Sequence, residues 1–300
     1  MDQQKHFLMV AIIGLAALNG SAQPGAVPIL PLNEEICGFT RNYFRYDAEQ
    51  VRQGLAVELL VGDAQANHPV TLRFLVNLKP RSLPVDDLQV EHEKFMHVLG
   101  VRDDLSEFIH LHPRKAGPGL WAVSHTFTNR GSYKLWTEVK YRGASYVFGH
   151  SRLRVAAPAT NPTPEPDPAK GDRDSGYQLS FTSTEPLRVG RTNQLQFTLR
   201  AADGAEALTE NFLGAPMHLV IVKDDLSVML HAHPENHRPG QPVIRFHQVF
   251  PRPGTYKLFA QYRPQELKLP LDDALLAEFV VRVAGDAPAT IGRAAPGKSK

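Results

Sequence analysis

Apolar and polar residues alternate with a period of two in many short segments of this chain. The segment from Val70 to Leu78 has this pattern, and the segment from Gln194 to Arg200 has it again. Such alternation is typical of strands with one face in a core and the other in solvent. Gly, Pro and Asp separate the segments, and the sequence shows no long segment with the 3.6-residue period of a helix. We therefore predict an all-β chain built from antiparallel sandwiches.

The second half of the sequence repeats the first. Leu72 and Phe74 align with Leu195 and Phe197, which lie 123 residues later. Four further blocks recur in the same order: Met96-His97 and Met217-His218, Asp103–Ser106 and Asp224–Ser227, His110–Pro113 and His231–Pro234, and Gly131–Leu135 and Gly254–Leu258. The last block, Gly-x-Tyr-Lys-Leu, resembles a late strand of immunoglobulin-like domains. Duplication of one ancestral domain predicts two tandem immunoglobulin-like antiparallel β-sandwich domains joined by a Pro-rich linker.

Composition divides the chain into five segments. The apolar stretch from Phe7 to Leu18 follows a short positive start and precedes small residues ending at Ala22, which is typical of a signal peptide and short for a bilayer span. An uncleaved membrane anchor is the alternative. We predict a signal peptide at 1–22, domain 1 at 38–157, the Pro-rich linker at 158–176, domain 2 at 177–284 and a flexible tail at 285–300. The expected location is periplasmic or secreted, with no membrane span after signal cleavage.

Charge and motifs argue against several functions. The net charge is +2, and no run of Lys and Arg suggests a nucleic-acid partner. The sequence contains no Gly-x-Ser-x-Gly, no phosphate-binding loop and no Gly-rich dinucleotide turn. Cys37, the one cysteine, lacks a partner for an internal disulfide and is given no role. We therefore predict a protein that is not an enzyme.

Three histidines in each domain are spaced to gather on one face of a hairpin. His110 and His112 are two residues apart, so they share a face of their strand. In either of two registers of a hairpin centred on Asp103–Leu105, one of them lies opposite His97, with neighbouring Cβ atoms about 5 Å apart. His218, His231 and His233 have the same spacing. His92 and His125 occur only in the first copy and are not assigned to the site.

Imidazole is the commonest protein ligand for zinc, copper and nickel, and three imidazoles with an open fourth position suit such an ion. Met96 and Met217 would add a thioether that favours Cu(I), although a residue adjacent to the histidine reaches the same face only through a bulge or a strand end. The predicted metal ligands are His97, His110, His112, His218, His231, His233, Met96 and Met217. The alternative is that the histidines are structural and hydrogen-bond a carbonyl or a carboxylate.

The repeated block, followed by Phe-x(3)-Gly-x-Tyr-x-Leu, resembles secreted bacterial proteins of the YtkA-like type. The resemblance covers roughly residues 85–140 and 205–262. It implies immunoglobulin-like modules, often encoded beside copper or heavy-metal handling genes, and it points to the same eight residues. The motif is also similar to that of periplasmic copper chaperones, whose later pair is His-x-Met where this chain has His-x-His. That difference leaves Cu(II) or zinc open beside Cu(I).

Taken together, the residues and the resemblance predict an exported protein that binds metal, with copper expected and zinc as the alternative. Each domain would hold one His-rich site, for storage, delivery or sensing of the ion. The expected partners are the metal ion and a protein of the cell envelope. The alternative is a non-catalytic structural or adhesive envelope module in which the His-x-His-Pro hairpin is scaffolding. A metal-dependent oxidoreductase or hydrolase is disfavoured, because no general base or substrate pocket can be argued.

Overall fold

The computed structural model describes residues 33–36, 39–157, 175–183, 185–234, 241–270 and 272–285. The predicted signal peptide, Cys37, nearly all of the linker and nearly all of the tail lie outside these ranges. Within them, no helix has the length and apolar character needed to cross a membrane. The regular secondary structure of the described chain is almost entirely strand and forms two sandwich domains, so the predicted fold class is confirmed.

Domain 1 consists of two packed sheets and one short 3₁₀ turn, Ala48–Gln50. Its strands are β1 (Asn33–Ile36), β2 (Phe39–Asp47), β3 (Gly54–Leu60), β4 (Ala64–Gln65), β5 (Pro69–Lys79), β6 (Leu83–Pro84), β7 (Met96–Arg102), β8 (Phe108–Leu111), β9 (Arg114–Gly117), β10 (Leu120–Thr126), β11 (Gly131–Tyr141), β12 (Ala144–Gly149) and β13 (Leu153–Ala156). One sheet has the order β1-β2-β12-β11-β13-β4, and β7 joins β11 to β8. The other has the order β3-β5-β10-β9, with β6 paired to β5.

Domain 2 repeats this arrangement with fewer strands in its described part. The strands are β14 (Tyr177–Ser183), β15 (Thr192–Ala201), β16 (Thr209–Glu210), β17 (Met217–Lys223), β18 (Met229–Ala232), β19 (Val243–Val249), β20 (Gly254–Pro264) and β21 (Leu275–Val283). One sheet is β14-β15-β19, and the other is β16-β20-β17-β18 with β21 paired to β20. A 3₁₀ turn, Gln265–Leu267, follows β20.

The alternating segments form the centre of each core. Leu72 and Phe74 of β5 are fully buried, as are Leu195 and Phe197 of β15, and the residues between them are more exposed. Each such side chain stabilises the fold by about 1.5–3 kcal/mol relative to an exposed one. The period-two pattern therefore arises because these strands separate a domain core from solvent.

A tyrosine ties the start of one strand to the preceding loop in both domains. The hydroxyl of Tyr133 donates a hydrogen bond to the carbonyl of Asn129 at 2.6 Å. The hydroxyl of Tyr256 donates to the carbonyl of Arg252 at 2.7 Å, also four residues upstream. This contact is typical of immunoglobulin-like sandwiches, where such a tyrosine fixes the corner between two strands.

The Asp-Asp-Leu-Ser segment forms the turn between β7 and β8. Asp104 Oδ1 accepts a hydrogen bond from the backbone nitrogen of Ser106 at 3.1 Å, a common role of Asp in turns. Leu105 has a φ of 59°, which lies in the left-handed region. The turn of domain 2 has the same hydrogen bond and a φ of 60° at Leu226. The two hairpins therefore have one geometry.

The turn sets the register of the hairpin and so the positions of the histidines. His110 lies opposite Leu99, and Leu111 lies opposite Val98. One further step along the strands brings His112 opposite His97. Domain 2 has the equivalent register. Because residues two apart share a face, the three histidines of each hairpin lie on one side of their sheet.

The two domains pack against each other through the outer faces of β7 and β17. Phe108 of domain 1 stacks on Phe259 of domain 2, with ring centroids 4.7 Å apart and planes 14° from parallel. Lys257 Nζ donates a hydrogen bond to the carbonyl of Leu105 at 2.7 Å across the contact. Other apolar side chains of this interdomain contact are Leu99, Val101, Trp136, Val147, Val220, Val222, Leu226 and Met229. β7 and β17 are covered on both faces, which accounts for their continuous apolar sequences.

Candidate metal centre

Three imidazole nitrogens converge in domain 1, from His97, His110 and His112. His97 Nδ1 lies 3.2 Å from His110 Nε2, and His112 Nε2 lies 3.3 Å from the same atom. All three nitrogens are within 4.8 Å of one another. Nitrogens bound at 2.0–2.1 Å to a tetrahedral ion lie roughly 3.3 Å apart, so this domain 1 triad has the dimensions of a three-histidine metal site.

His218, His231 and His233 form the equivalent domain 2 triad. His218 Nδ1 lies 3.2 Å from His231 Nε2 and 2.8 Å from His233 Nε2. Again the three nitrogens are within 4.8 Å of one another. The same ring nitrogens face inward in both triads, which indicates that duplication preserved the orientation of each imidazole as well as its position.

Backbone carbonyls orient the first histidine of each triad. The outer nitrogen of His97, Nε2, donates a hydrogen bond to the carbonyl of Glu91 at 2.9 Å. His218 Nε2 donates to the carbonyl of Phe212 at 2.8 Å. A carbonyl oxygen only accepts, so the proton of each neutral ring lies on Nε2 and the inward-facing Nδ1 carries a lone pair.

The second histidine of each triad is held by the other domain. His110 Nδ1 donates a hydrogen bond to Gln261 Oε1 at 2.6 Å, and His231 Nδ1 donates to Glu138 Oε2 at 2.8 Å. Gln261 is the cross-strand neighbour of His218, and Glu138 is that of His97. Residues 138 and 261 therefore occupy equivalent positions and make reciprocal contacts across the interdomain contact.

In the domain 1 triad, these outer hydrogen bonds leave the lone pairs of His97 Nδ1 and His110 Nε2 facing each other at 3.2 Å. Two acceptors make no hydrogen bond with each other, and a third imidazole can donate its single proton to only one of them. A cation bound between them would satisfy both. Outward N–H groups tied to fixed acceptors are also the usual arrangement around a metal-binding histidine.

Burial keeps the imidazoles in the form that binds metal. Burial, with the charge of neighbouring imidazoles, lowers the pKa of His112 to about 2 and that of His218 to about 3. The pKa values of His110 and His233 lie well below 6.5 for the same two reasons. These four rings are neutral at pH 7, so a metal ion would not compete with protons for them.

The two triads lie side by side. The ring centroid of His110 is 5.5 Å from that of His231 and 6.0 Å from that of His218, and His97 is 5.6 Å from His231. The sequence predicts one site in each domain, and its spacing gives no sign that the sites adjoin. The structure places both at the interdomain contact, in one histidine cluster.

His92 is the seventh member of this histidine cluster, and it is not among the ligands that the sequence predicts. It belongs to domain 1, but its ring stacks on His233 of domain 2 with centroids 3.4 Å apart and planes 18° from parallel. Burial and the nearby imidazoles, His231 first among them, lower its pKa to about 3. No pattern in the sequence marks His92, because it lies outside the repeated block.

Met96 and Met217 do not lie with the histidines. Both side chains are fully buried, Met96 in the hydrophobic core of domain 1 and Met217 in that of domain 2. β7 and β17 are regular at this point, so a methionine adjacent to the first histidine points to the opposite face of the strand. We therefore leave both methionines out of the ligand set proposed below.

A cavity of about 650 Å³ adjoins the domain 1 triad, and His110 and His112 are among the residues that line it. Phe95 and Trp121 form an aromatic pair in its wall, with ring centroids 5.6 Å apart. Phe95 is 47% exposed, so this part of the cavity wall faces solvent.

Comparison with solved structures gives distant likenesses. FdeC, an Escherichia coli adhesin, is 12% identical, with 78% of this chain and 67% of that chain covered and a TM-score of 0.25. Invasin, a bacterial integrin-binding protein, is 12% identical, with 77% and 39% covered and a TM-score of 0.23. Three N-terminal domains of the outer capsid protein Hoc of bacteriophage RB49 are 12% identical, with 77% and 59% covered and a TM-score of 0.21. At these TM-scores the likenesses support no functional argument.

No curated protein matches the chain in sequence. Two stretches, residues 49–154 and 172–285, match one and the same family, and each contains a complete histidine triad. The two stretches together cover well over half of the chain. It therefore belongs to the family described as a domain of unknown function, DUF8832, and carries that domain twice.

Proposed function

We propose that this chain is an exported metal-binding protein whose two histidine triads each hold one metal ion. The observation that carries the proposal is the convergence of three imidazole nitrogens in each triad, within 4.8 Å of one another. The outer ring nitrogens of the first and second histidines already donate to fixed acceptors. In the domain 1 triad, a metal ion bound between His97 Nδ1 and His110 Nε2 would satisfy both lone pairs.

Copper is the proposed ion, and zinc is the alternative. Imidazole binds both, and in a site of given ligands Cu²⁺ has the higher affinity of the divalent ions. A set of imidazoles without a thioether fits Cu(II) or zinc better than Cu(I), which prefers softer ligands. The resemblance to YtkA-like proteins, encoded beside copper-handling genes, favours copper in the same way.

We propose binding without turnover, for storage, delivery or sensing of the ion. The apolar segment Phe7–Leu18 supports export, which would place the protein in the periplasm or outside the cell, with an envelope protein as partner. The cavity beside His110 and His112 would let an ion or a competing ligand reach the domain 1 triad.

A structural or adhesive envelope module is the second candidate. The observation in its favour is that the histidine cluster lies within the interdomain contact, beside the buried stack of Phe108 on Phe259. In that case the imidazoles would position the domains through hydrogen bonds such as the one from His231 to Glu138, and no ion would be needed.

A metal titration separates the two candidates. The metal-free chain is titrated with Cu²⁺ and with Zn²⁺ against a chromophoric chelator. The variants are H112A, which breaks the domain 1 triad, H233A, which breaks the domain 2 triad, and H68A, which removes a histidine outside the cluster as the control. We expect one ion per triad, with one ion lost in H112A, one lost in H233A and none lost in H68A.

Wild-type binding no tighter than roughly millimolar, about −4 kcal/mol, would contradict the metal proposal and leave the structural module. Binding that H112A and H233A leave unchanged would contradict the assignment of the ligands. Circular dichroism of each variant checks that a lost ion reflects a lost ligand and not an unfolded domain.

A further inference from the structure

The outer partners of His231 and His110 are equivalent in position but different in type, Glu138 and Gln261. Glu138 places a carboxylate against the outer nitrogen of His231, and Gln261 places a neutral amide oxygen against that of His110. We propose that Glu138 is a positioning residue that makes the domain 2 triad the tighter metal site, which is filled first. This inference rests on the proposed function and goes beyond it, because it ranks the two sites and assigns the difference to one residue of the other domain.

Burial makes the charge of Glu138 effective. The residue is 3% exposed, and the side chain of His231 is fully buried at 2.8 Å from it. A carboxylate held away from water is poorly screened, so its interaction with a nearby cation is strong. It also polarises the N–H of His231, which makes the inward nitrogen a stronger donor to a metal ion.

Gln261 offers the same hydrogen bond without the charge. Its side chain is only partly buried, and its oxygen accepts from His110 Nδ1 at 2.6 Å. The orientation of His110 is therefore fixed as well as that of His231, and the two outer hydrogen bonds differ in the charge and the burial of their acceptors. Outer hydrogen-bond partners of this kind change metal affinity by about 10–100-fold, and we expect a difference of that size between the sites.

The contact also links metal binding to the position of the domains. Glu138 belongs to domain 1 and His231 to domain 2, so the domain 2 triad has its carboxylate only while the domains are packed as in this structure. An ion that binds more tightly when Glu138 is in place must in turn favour the packed arrangement by the same factor.

The test measures Zn²⁺ affinity at one triad at a time in the full chain. H112A leaves only the domain 2 triad intact, and H233A leaves only the domain 1 triad. We expect the H112A chain to bind Zn²⁺ about 10–100-fold more tightly than the H233A chain. Adding E138Q should weaken Zn²⁺ binding by the H112A chain by most of this factor. The same change should have a much smaller effect on the Zn²⁺ affinity of the H233A chain.

The reciprocal exchange is the matched control. Adding Q261E to the H233A chain should tighten its Zn²⁺ binding, and the double exchange E138Q/Q261E in the otherwise unaltered chain should reverse the order in which the triads fill. Bound Co²⁺ gives an absorption band that reports the ligand geometry of the loaded triad. A band unchanged by E138Q, with a lower affinity, would show loss of charge and not loss of structure.

The outcomes separate this inference from the proposed function. Equal affinities of the H112A and H233A chains, or equal losses at both triads on E138Q, would overturn the role of Glu138 while leaving metal binding intact. Absence of Zn²⁺ and Cu²⁺ binding in the wild-type chain would overturn the proposed function itself. A higher affinity of the domain 2 triad that Q261E equalises would support the inference.

Discussion

His92 of domain 1 stacks face to face on His233 of domain 2, with ring centroids 3.4 Å apart. His92 is not among the residues whose ligand nitrogens converge within 4.8 Å, so its ring covers the domain 2 triad from one side. Aromatic stacking of this kind contributes about 0.5–1.5 kcal/mol beyond the area it buries, and it restricts the rotation of His233.

We predict that H92F keeps the metal affinity of the domain 2 triad and that H92A weakens it. Phenylalanine retains a flat ring that can stack on His233 but offers no nitrogen, whereas alanine removes the ring. Zn²⁺ titration of both variants in the H112A chain isolates the domain 2 triad. A loss in H92F as large as that in H92A would mean that His92 is itself a ligand.

The sequence alone predicts that the three histidines of each domain share one face, because this depends only on the period of a strand and the length of one turn. The sequence does not predict that the two triads lie side by side. That arrangement depends on which outer face each sandwich turns toward the other, and the deciding contacts join Phe108 to Phe259 and His110 to Gln261. Local periodicity carries no signal for contacts between residues 151 positions apart.

The continuous apolar sequences of β7 and β17 indicate in part that a second domain covers these strands. A strand that reads Met-His-Val-Leu-Gly-Val must be covered on both faces, which here means one domain core and one partner domain. For the two methionines, the sequence pattern suggested a position that the structure does not have. Adjacency to the first histidine suggested a thioether ligand, but regular strand geometry directs Met96 and Met217 into the cores.

The methionines give the second prediction. M96L and M217L should leave the affinities for Cu⁺ and Cu²⁺ unchanged, because both thioethers pack in the hydrophobic cores. The exchange of Met for Leu nearly conserves volume, so we expect each variant to lose less than about 1.5 kcal/mol of unfolding free energy. The affinities are measured by competition with a chelator specific for each oxidation state. A fall in Cu⁺ affinity alone, in either variant, would restore that methionine to the ligand set.

His150 gives a prediction of pH dependence that does not involve the triads. Its ring is buried, Nε2 lies 2.6 Å from Thr137 Oγ1, and burial lowers its pKa from 6.5 to about 3. Between these two values the unfolded chain takes up a proton that the folded chain does not. The free energy of unfolding therefore falls as the pH is lowered from 6.5, by about 1.4 kcal/mol per pH unit for this one group.

H150L removes that titration. We expect the variant to be less stable than the wild type at pH 7.5, because the contact with Thr137 is lost, and the difference to shrink as the pH falls below 6.5. Urea unfolding of the metal-free chain at several pH values measures this difference in unfolding free energy, with H68L as the control outside the core. A stability difference that stays constant with pH would show that His150 does not titrate as its burial implies.

The last prediction concerns the contact that holds the two triads together. Phe259 is fully buried between the domains, and Phe246 is fully buried within the core of domain 2. Replacing either with alanine should cost about 3–5 kcal/mol of unfolding free energy, because both leave a cavity of similar size. Chemical denaturation measures this loss and shows whether the two variants are matched in stability.

The two variants should differ in metal binding. The cavity in F259A lies at the interdomain contact, and it loosens the arrangement that brings Glu138 to His231 and Gln261 to His110. The cavity in F246A lies inside domain 2 and leaves those contacts in place. We therefore expect weaker Zn²⁺ binding in F259A and wild-type affinity in folded F246A, both measured at a temperature where each variant is fully folded. Equal losses of affinity would mean that the triads depend on the stability of domain 2 alone, and that the interdomain contact has no part in holding the ions.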